Sequence, residues 1–483
     1  MANLKGLFKD TAIYGLSSIV GRFLNYLLVP LYTHYMPTQS GDYGISTNVY
    51  AYTALIMVLL TFGMETTLFR FANDETPQFK IQSSKFKTYS WPDTVFSTGF
   101  AVIAMLTTLF LAGIFGFIVP ISDALGYGEH PEYLMMMAVV VGMDALQALP
   151  FSYLRFQKRA IRFATLKLLF IALNIGLNLI YFVLLGKTSV FYVFAINLAC
   201  TSVITLIFVP EMFKIKWNFD GALLKKMLSY SWPILVLGIA GILNQVADKI
   251  MFPLVYPDKA EANVQLGIYG GCVKIAMIMA MITQAFRYAY EPIVFSKAKD
   301  KDSKEYYAVA MKYFLIFTLL AFLCVMGYID VLQLILGKGY REGMAVVPIV
   351  MVAEIMMGVY FNLSFWYKLI DRTIYGAWFS LAGCAVLFAV NYLFIPQYSY
   401  MACAWGGVAG YGTAMVLSYI VGQVKNPIPY PMKNILTYVF MTAMFYAVMH
   451  LTSEWHLALR LSINTILILL FCAHVYWHEI RRK

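Results

Sequence analysis

The sequence predicts an all-α, polytopic membrane protein with about 14 transmembrane helices, arranged as two six-helix lobes plus two C-terminal helices. Three observations predict it. The chain is 61% hydrophobic and 13% charged, where a soluble domain carries ~25% charged residues. Apolar stretches long enough to cross ~30 Å of hydrocarbon alternate with short polar connectors. Positive charge falls into every second connector. Of the 36 Lys and Arg, five lie in one set of gaps (Lys187, Lys259, Lys338, Arg341 and Arg460). Four lie inside apolar stretches (Arg22, Lys249, Lys274 and Arg287), leaving 27 for the alternating gaps and the chain ends. Positive residues are retained on the cytoplasmic side of membranes, so both termini are expected there.

The expected spans are 10–33, 44–70, 94–120, 132–155, 164–186, 189–210, 231–254, 267–293, 306–330, 343–367, 376–396, 401–424, 433–450 and 457–478. Each reads as a helix, because only helices and closed barrels satisfy backbone groups in lipid. Continuous apolar runs of this length do not suit ~10-residue alternating barrel strands. The first run is too long for a signal-peptide core and no small-residue cleavage site follows it, so it is expected to remain as a span. Trp91, Trp217, Trp232, Trp366, Trp378, Trp455 and Trp477 fall near span ends, where amphipathic rings settle. The six cysteines all lie in apolar stretches without CxxC spacing, which reads as small core residues rather than a metal or disulfide framework. The net charge of +11 is accounted for by cytoplasmic loops facing anionic lipid. No basic groove or stripe supports nucleic-acid binding.

A long connector, EMFKIKWNFDGALLKKMLSY, separates six spans from eight. The expected organisation is an N-lobe over 1–210, an inter-lobe linker over 211–230, a C-lobe over 231–424, and helices 13 and 14 with a tail over 425–483. A weak internal repeat accords with this. NYLLVPLYTHYMPTQSGDYG and NQVADKIMFPLVYPDKAEANVQLGIYG both run from Asn through an apolar-Pro-Leu step to Tyr-Gly. Both copies start from the cytoplasm, so the repeat is parallel, about an axis along the membrane normal.

Charges inside spans are costly, about 2.5–3.5 kcal/mol or more each, and so need a reason. Arg22 is expected near mid-membrane, with Tyr14, Ser18 and Asn25 on one helical stripe. It is either a cavity-facing cation for an anionic group or a structural Arg satisfied by its neighbours. Asp144, Gln147, Phe151 and Arg155 share a face of the fourth span. Asp144 is a candidate coupling site for a cation or proton, or a counter-charge. In the seventh span, Asn244 and Asp248 share one face and Gln245 and Lys249 the next. Lys249 is a candidate phosphate-binding cation or a snorkelling Lys, and Asp248 a candidate ion coupler. Arg287 and Glu291 stand at i, i+4, which favours an internal pair. Glu354, mid-span in the tenth helix, is another candidate coupler. Glu65 is expected to pair with a cation. Asn174 and Asn178 suit interhelical hydrogen bonding. His474 and His478 are not expected to hold metal.

No GxxxxGK[ST], GxSxG or HExxH occurs, so neither ATP hydrolysis nor these hydrolytic chemistries are expected. No catalytic role and no cofactor is assigned.

Several stretches resemble the polysaccharide transporters of the multidrug/oligosaccharidyl-lipid/polysaccharide (MOP) flippase superfamily, the Wzx-like O-antigen and capsule-unit flippases. They are KDTAIYGLSSIVGRFLNYLLVPLYTHYMPTQSGDYG, GMETTLFRF, LLKKMLSYSWP, LGIYGGCVKIAMIMAMITQAFRYAYEPIVF and NYLFIPQYSYMACAWGGVAG. In the last, the usual Gly-Ala-Ala reads Ala402-Cys403-Ala404. The resemblance implies two facing lobes around a cationic cavity in a bacterial inner membrane. It implies transport of undecaprenyl-pyrophosphate-linked glycan between leaflets, with membrane lipids, H+ or Na+ and the polysaccharide polymerase machinery as candidate partners. Relatives that flip the peptidoglycan lipid precursor carry essential arginines in helices one, two and eight; Arg22, Arg70 and Arg287 stand there. The alternatives are a multidrug/cation antiporter of the same superfamily, which would want an acidic cavity, a membrane glycan polymerase or ligase, which would want large outside loops, and a non-transporting scaffold, which would need no buried charges.

Overall fold

The computed structural model describes residues 28–73, 90–213, 215, 217–296, 303–370 and 372–481. Among these, 13 helices are long and apolar enough to cross a membrane. They correspond to the expected second to fourteenth spans. The expected first span lies mostly outside the described residues; its end is helix α1, Leu28–Tyr35. The protein is a multi-pass, all-α membrane protein.

The chain divides into two compact units, 1–266 and 267–483. The first holds α2 (Asp42–Thr61), α3 (Met64–Ala72), α4 (Trp91–Gly116), α5 (Ile118–Leu125) and α6 (Pro131–Phe156). It continues with α7 (Ala160–Leu179), which ends in a π turn over Ile180–Leu184, α8 (Val190–Met212) and α9 (Gly221–Val255). Helix α10 (Lys259–Ser296) contains the boundary between the units.

Two departures from the expected spans bear on the site. The second span is two helices, not one. Phe62 and Gly63 both take left-handed φ values, +48° and +67°, so the chain breaks there and restarts at Met64. Side chains are disfavoured at positive φ, and glycine supplies the tolerant position. The site is also tight: a Cβ on Gly63 would stand 3.0 Å from Ile234 Cγ2. The second departure is α9, which begins at Gly221, well ahead of residue 231. Asp220 caps it, its carboxylate accepting from the Ala222 and Leu223 amides at 2.8 and 3.0 Å. Leu223 and Met227 are buried in one core with Met64, Leu68, Phe96 and Leu149, so this first part of α9 is fixed by packing against α3, α4 and α6.

The polar side chains of this unit tie helices together. Tyr32 donates to Asn178 Oδ1 at 3.0 Å, an interhelical bond of the kind expected of the asparagine pair, while Asn178 Nδ2 donates to the Asn174 carbonyl within α7 at 2.8 Å.

The second unit holds α11 (Ser303–Gly327), α12 (Val346–Leu363), α13 (Ile374–Tyr398), α14 (Tyr400–Lys425), α15 (Met432–Leu451) and α16 (Leu457–Val475), with a π turn over Tyr476–Ile480. Helices α13 and α14 approach through small residues. A Cβ on Gly383 would stand 2.6 Å from the Gly410 carbonyl oxygen, a backbone-to-backbone contact that only glycine permits.

Candidate functional site

The first unit encloses a cavity of about 500 Å³, lined from α2, α3, α6, α7 and α8. This size falls within the range of small-ligand sites, about 300–1,000 Å³. Four ionisable side chains of opposite sign line it: Glu65, Asp144, Arg155 and Lys167. Tyr50, Gln147, Ser152 and Asn197 add neutral polar groups, and Phe151, Phe163 and Phe170 add aromatic walls.

The cavity follows from the face that α6 presents. Asp144, Gln147, Phe151 and Arg155 all line it, as their i, i+3, i+4 spacing requires. Gln147 Nε2 donates to the Thr201 carbonyl at 3.1 Å and to Thr205 Oγ1 at 2.7 Å, joining α6 to α8. Asn197 Nδ2 donates to the Tyr50 hydroxyl at 2.7 Å, joining α8 to α2. These bonds hold three walls of the cavity in register.

The break at Phe62–Gly63 brings in the fourth wall. It places Glu65 in the first turn of α3, where the helix dipole favours a carboxylate. Glu65 Oε2 accepts from Ser152 Oγ at 3.0 Å. Lys167 enters from α7, its Nζ lying 3.9 Å from the centroid of the Phe151 ring, a cation–π contact. Its charged neighbours are Asp144 and Glu65, and Asp144 also neighbours the Thr201 side chain. Arg155 marks the exposed end of the cavity, 5.2 Å over the Phe69 ring.

The other candidates lie elsewhere. Arg70 is on the exposed last turn of α3. Lys249 Nζ pairs with its neighbour Asp248, at 3.0 and 2.9 Å from the two carboxylate oxygens, and donates to the Gln245 carbonyl at 3.1 Å. In the second unit, Arg287 has its guanidinium 5.1 Å from the Phe361 ring centroid, and Glu354 is partly buried on α12. Arg22 and Asn25 lie outside the described residues, as do the side chain of Glu291 and the stripe residues Tyr14 and Ser18.

Lys167 is the residue the sequence did not single out. Counted by connector, it belongs to the cytoplasmic positive cluster with Arg159 and Arg162. One signal was available: Lys167, Asn174 and Asn178 are spaced seven and four apart and so share a helical face. Tyr50 and Asn197 carried no such signal, since their pairing is tertiary.

The sequence pattern of the family described as "Polysaccharide biosynthesis protein" matches residues 7–296, more than half of the chain. The chain belongs to that family. The match takes in α1 to α10, hence every lining residue of the cavity. Solved structures share the fold. "Lipid II flippase MurJ, inward closed conformation" aligns with a TM-score of 0.71 at 14% identity, over 96% of this chain and 98% of that one. An inward-facing multidrug resistance MATE family transporter of the MOP superfamily aligns with 0.64 at 14% identity, over 84% and 94%. A mutant of the Vibrio cholerae MATE transporter VcmN aligns with 0.57 at 13% identity, over 87% and 96%. No curated protein sequence matches. At these identities the likeness is one of fold alone.

Proposed function

We propose that the protein is a flippase. It carries undecaprenyl-pyrophosphate-linked oligosaccharide units from the inner to the outer leaflet of a bacterial cytoplasmic membrane, for surface polysaccharides such as O-antigen or capsule. The observation that supports this best is the family match over residues 7–296, joined to a fold shared with a lipid II flippase over 96% of this chain. A pyrophosphate carries charge that hydrocarbon rejects, at a cost of several kcal/mol per buried charge. Cationic side chains can replace its water while the prenyl tail stays in lipid. Arg22, Asn25, Arg70, Lys249 and Arg287 are the proposed set. Lys249 would have to exchange Asp248 for the phosphate. An N-lobe of residues 1–210 and a C-lobe of residues 231–424 rocking against each other would alternate access. Both termini would face the cytoplasm, and the polysaccharide polymerase machinery would receive the product. The activity is transport rather than catalysis, and with no ATP-binding motif an ion gradient is the natural drive. Asp144, Asp248 and Glu354 are the proposed coupling acids, for H+ or Na+.

The test is deletion of the gene, measurement of lipid-linked glycan in each leaflet, and rescue with wild type or Arg22→Ala. Finished units accumulating on the cytoplasmic leaflet, rescued only by wild type, are expected. Units piling up singly outside would instead indicate a polymerase or ligase. A second reading, a multidrug/cation antiporter, is favoured by the MATE fold neighbours. Unchanged glycan in both leaflets together with drug sensitivity would select it.

A further inference from the structure

We infer that the cavity of the first unit is a sugar-binding site. It takes one ring of the lipid-linked glycan, held between the Lys167 ammonium, the Asp144 carboxylate and the Tyr50 hydroxyl. This deepens the flippase reading and rests on it for its role in transport. It adds glycan-binding residues to the cationic set named above for the pyrophosphate.

The cavity wall leaves hydrogen-bonding capacity unused, although enclosed polar groups normally find partners. Among the described residues, the Lys167 ammonium makes neither a hydrogen bond nor an ion pair. Its contact is the face of the Phe151 ring, 3.9 Å from Nζ to the centroid. Asp144 and Glu65 are its charged neighbours, yet neither closes on it. The Tyr50 hydroxyl accepts from Asn197 at 2.7 Å, and its own proton has no acceptor among the described residues. Gln147 uses its N–H groups on Thr201 and Thr205, which leaves Oε1 as an acceptor one helical turn from Asp144. The wall thus offers the N–H groups of Lys167 and the O–H of Tyr50 as donors, and the oxygens of Asp144 and Gln147 as acceptors.

These groups specify a class of ligand. Two acids, Glu65 and Asp144, and two cations, Arg155 and Lys167, line the cavity, so with all four charged it is neutral. A pyrophosphate would meet the acids as like charges, and a cationic drug would meet the cations. A hydroxyl meets neither repulsion. It donates to a carboxylate and accepts from an ammonium at once, and neighbouring hydroxyls on a ring do so side by side. A sugar ring also carries a face of C–H groups that packs on an aromatic ring. Phe170 supplies that ring. It lines the cavity one turn after Lys167, on the same face of α7, and is only partly buried. A volume of about 500 Å³ suits one small ligand, hence one end of a glycan rather than its prenyl carrier. The exposed Arg155 end is the way in.

The experiment uses the purified full-length protein in lipid nanodiscs, free of glycoside detergent. The probe is the oligosaccharide that mild acid releases from the host's lipid-linked pool, which carries neither prenyl chain nor pyrophosphate. Saturation-transfer NMR reports its binding. Transfer to the sugar ring protons is expected with wild type. Affinity should fall about ten-fold or more in Lys167→Met and in Asp144→Asn, and less in Tyr50→Phe, because hydrogen bonds to charged groups contribute more than those to neutral ones. Monodispersity and thermal unfolding establish that each variant is folded. If the charge variants do not fold, Ala54→Cys carries the test. Ala54 lines the cavity, so the oligosaccharide should slow modification of that cysteine by a small methanethiosulfonate. No transfer with wild type, transfer unchanged in both charge variants, or an unprotected cysteine overturns the inference. The deletion strain adds the cellular arm. A Lys167→Met protein that binds no oligosaccharide yet restores glycan to the outer leaflet overturns the inference and leaves the flippase reading standing. Oligosaccharide binding by a wild-type protein that moves no lipid-linked glycan refutes the flippase reading and leaves the sugar site.

Discussion

Lys312 and Glu479 form an ion pair at 2.5 Å in the second unit, with only 8% of one residue and 5% of the other exposed. The Tyr438 hydroxyl donates to the second carboxylate oxygen at 3.1 Å, so α11, α15 and the π turn after α16 meet at one carboxylate. A buried pair gains little over a well-packed apolar pair, but removing one partner leaves a charge without compensation, at a cost of about 3–5 kcal/mol. Lys312→Met and Glu479→Leu should each lower the thermal unfolding temperature of the purified protein sharply. The double substitution should recover most of the loss. Additive losses would mean that the two side chains do not share their charge.

Gly63 at φ +67° makes a second prediction. Gly63→Ala must place a Cβ in the left-handed region, which costs about 1–2 kcal/mol, and bring it to 3.0 Å from Ile234 Cγ2. Because Glu65 follows directly in the restarted helix, the substitution should also alter the cavity wall. The expected result is a lower unfolding temperature together with loss of the Glu65–Ser152 contact. A thermal transition unchanged from wild type would argue that the break between α2 and α3 is not fixed by this glycine.

The break shows what the sequence could and could not convey. Apolar run length located the membrane-crossing helices, since hydrocarbon thickness dictates it locally. Helical period likewise put Asp144, Gln147, Phe151 and Arg155 on one face, and the cavity uses that face. The interruption at Phe62–Gly63 left no mark in run length or period, and it shows only in the positive φ of the two residues. Lys167 was hidden as well. A lysine two turns inside a helix looks like a loop charge until its place against the Phe151 ring, on the cavity wall, is seen. The early start of α9 was concealed by Lys225 and Lys226, whose charges suggest a surface connector although Leu223 and Met227 on either side of them are buried.

Helices α13 and α14 yield a pairwise prediction. Asn391 is fully buried, and among the described residues neither its amide nitrogen nor its oxygen has a hydrogen-bond partner. A Cβ on Gly406 would fall 2.4 Å from Asn391 Oδ1. Gly406→Ala should therefore destabilise the second unit. The loss should be smaller when Asn391 is already alanine, because the clashing atom is gone. Neighbouring residues of this kind couple by about 0.5–3 kcal/mol in double-mutant cycles, measurable by thermal or denaturant unfolding in detergent. A cycle that closes to zero would mean that the helices separate rather than clash.

Asn48 supplies the last prediction. It is 1% exposed, and its Nδ2 donates to the Lys249 carbonyl at 2.7 Å while its Oδ1 accepts from the Tyr127 hydroxyl at 2.7 Å. One amide thus fastens α2 to α9 and to the segment between α5 and α6. Its donor and acceptor ends are distinct, so the direction of each bond is testable. Tyr127→Phe leaves Asn48 Oδ1 without this donor, a loss of about 1–3 kcal/mol for a buried acceptor. Asn48→Asp keeps that acceptor but turns a second oxygen toward the Lys249 carbonyl, so two acceptors face each other in a buried site. The aspartate variant should unfold at a lower temperature than Tyr127→Phe, and lowering the pH, which restores a proton to that carboxyl, should narrow the gap. If Tyr127→Phe proves the more damaging of the two, the tyrosine bond rather than the link to α9 holds this end of the first unit together.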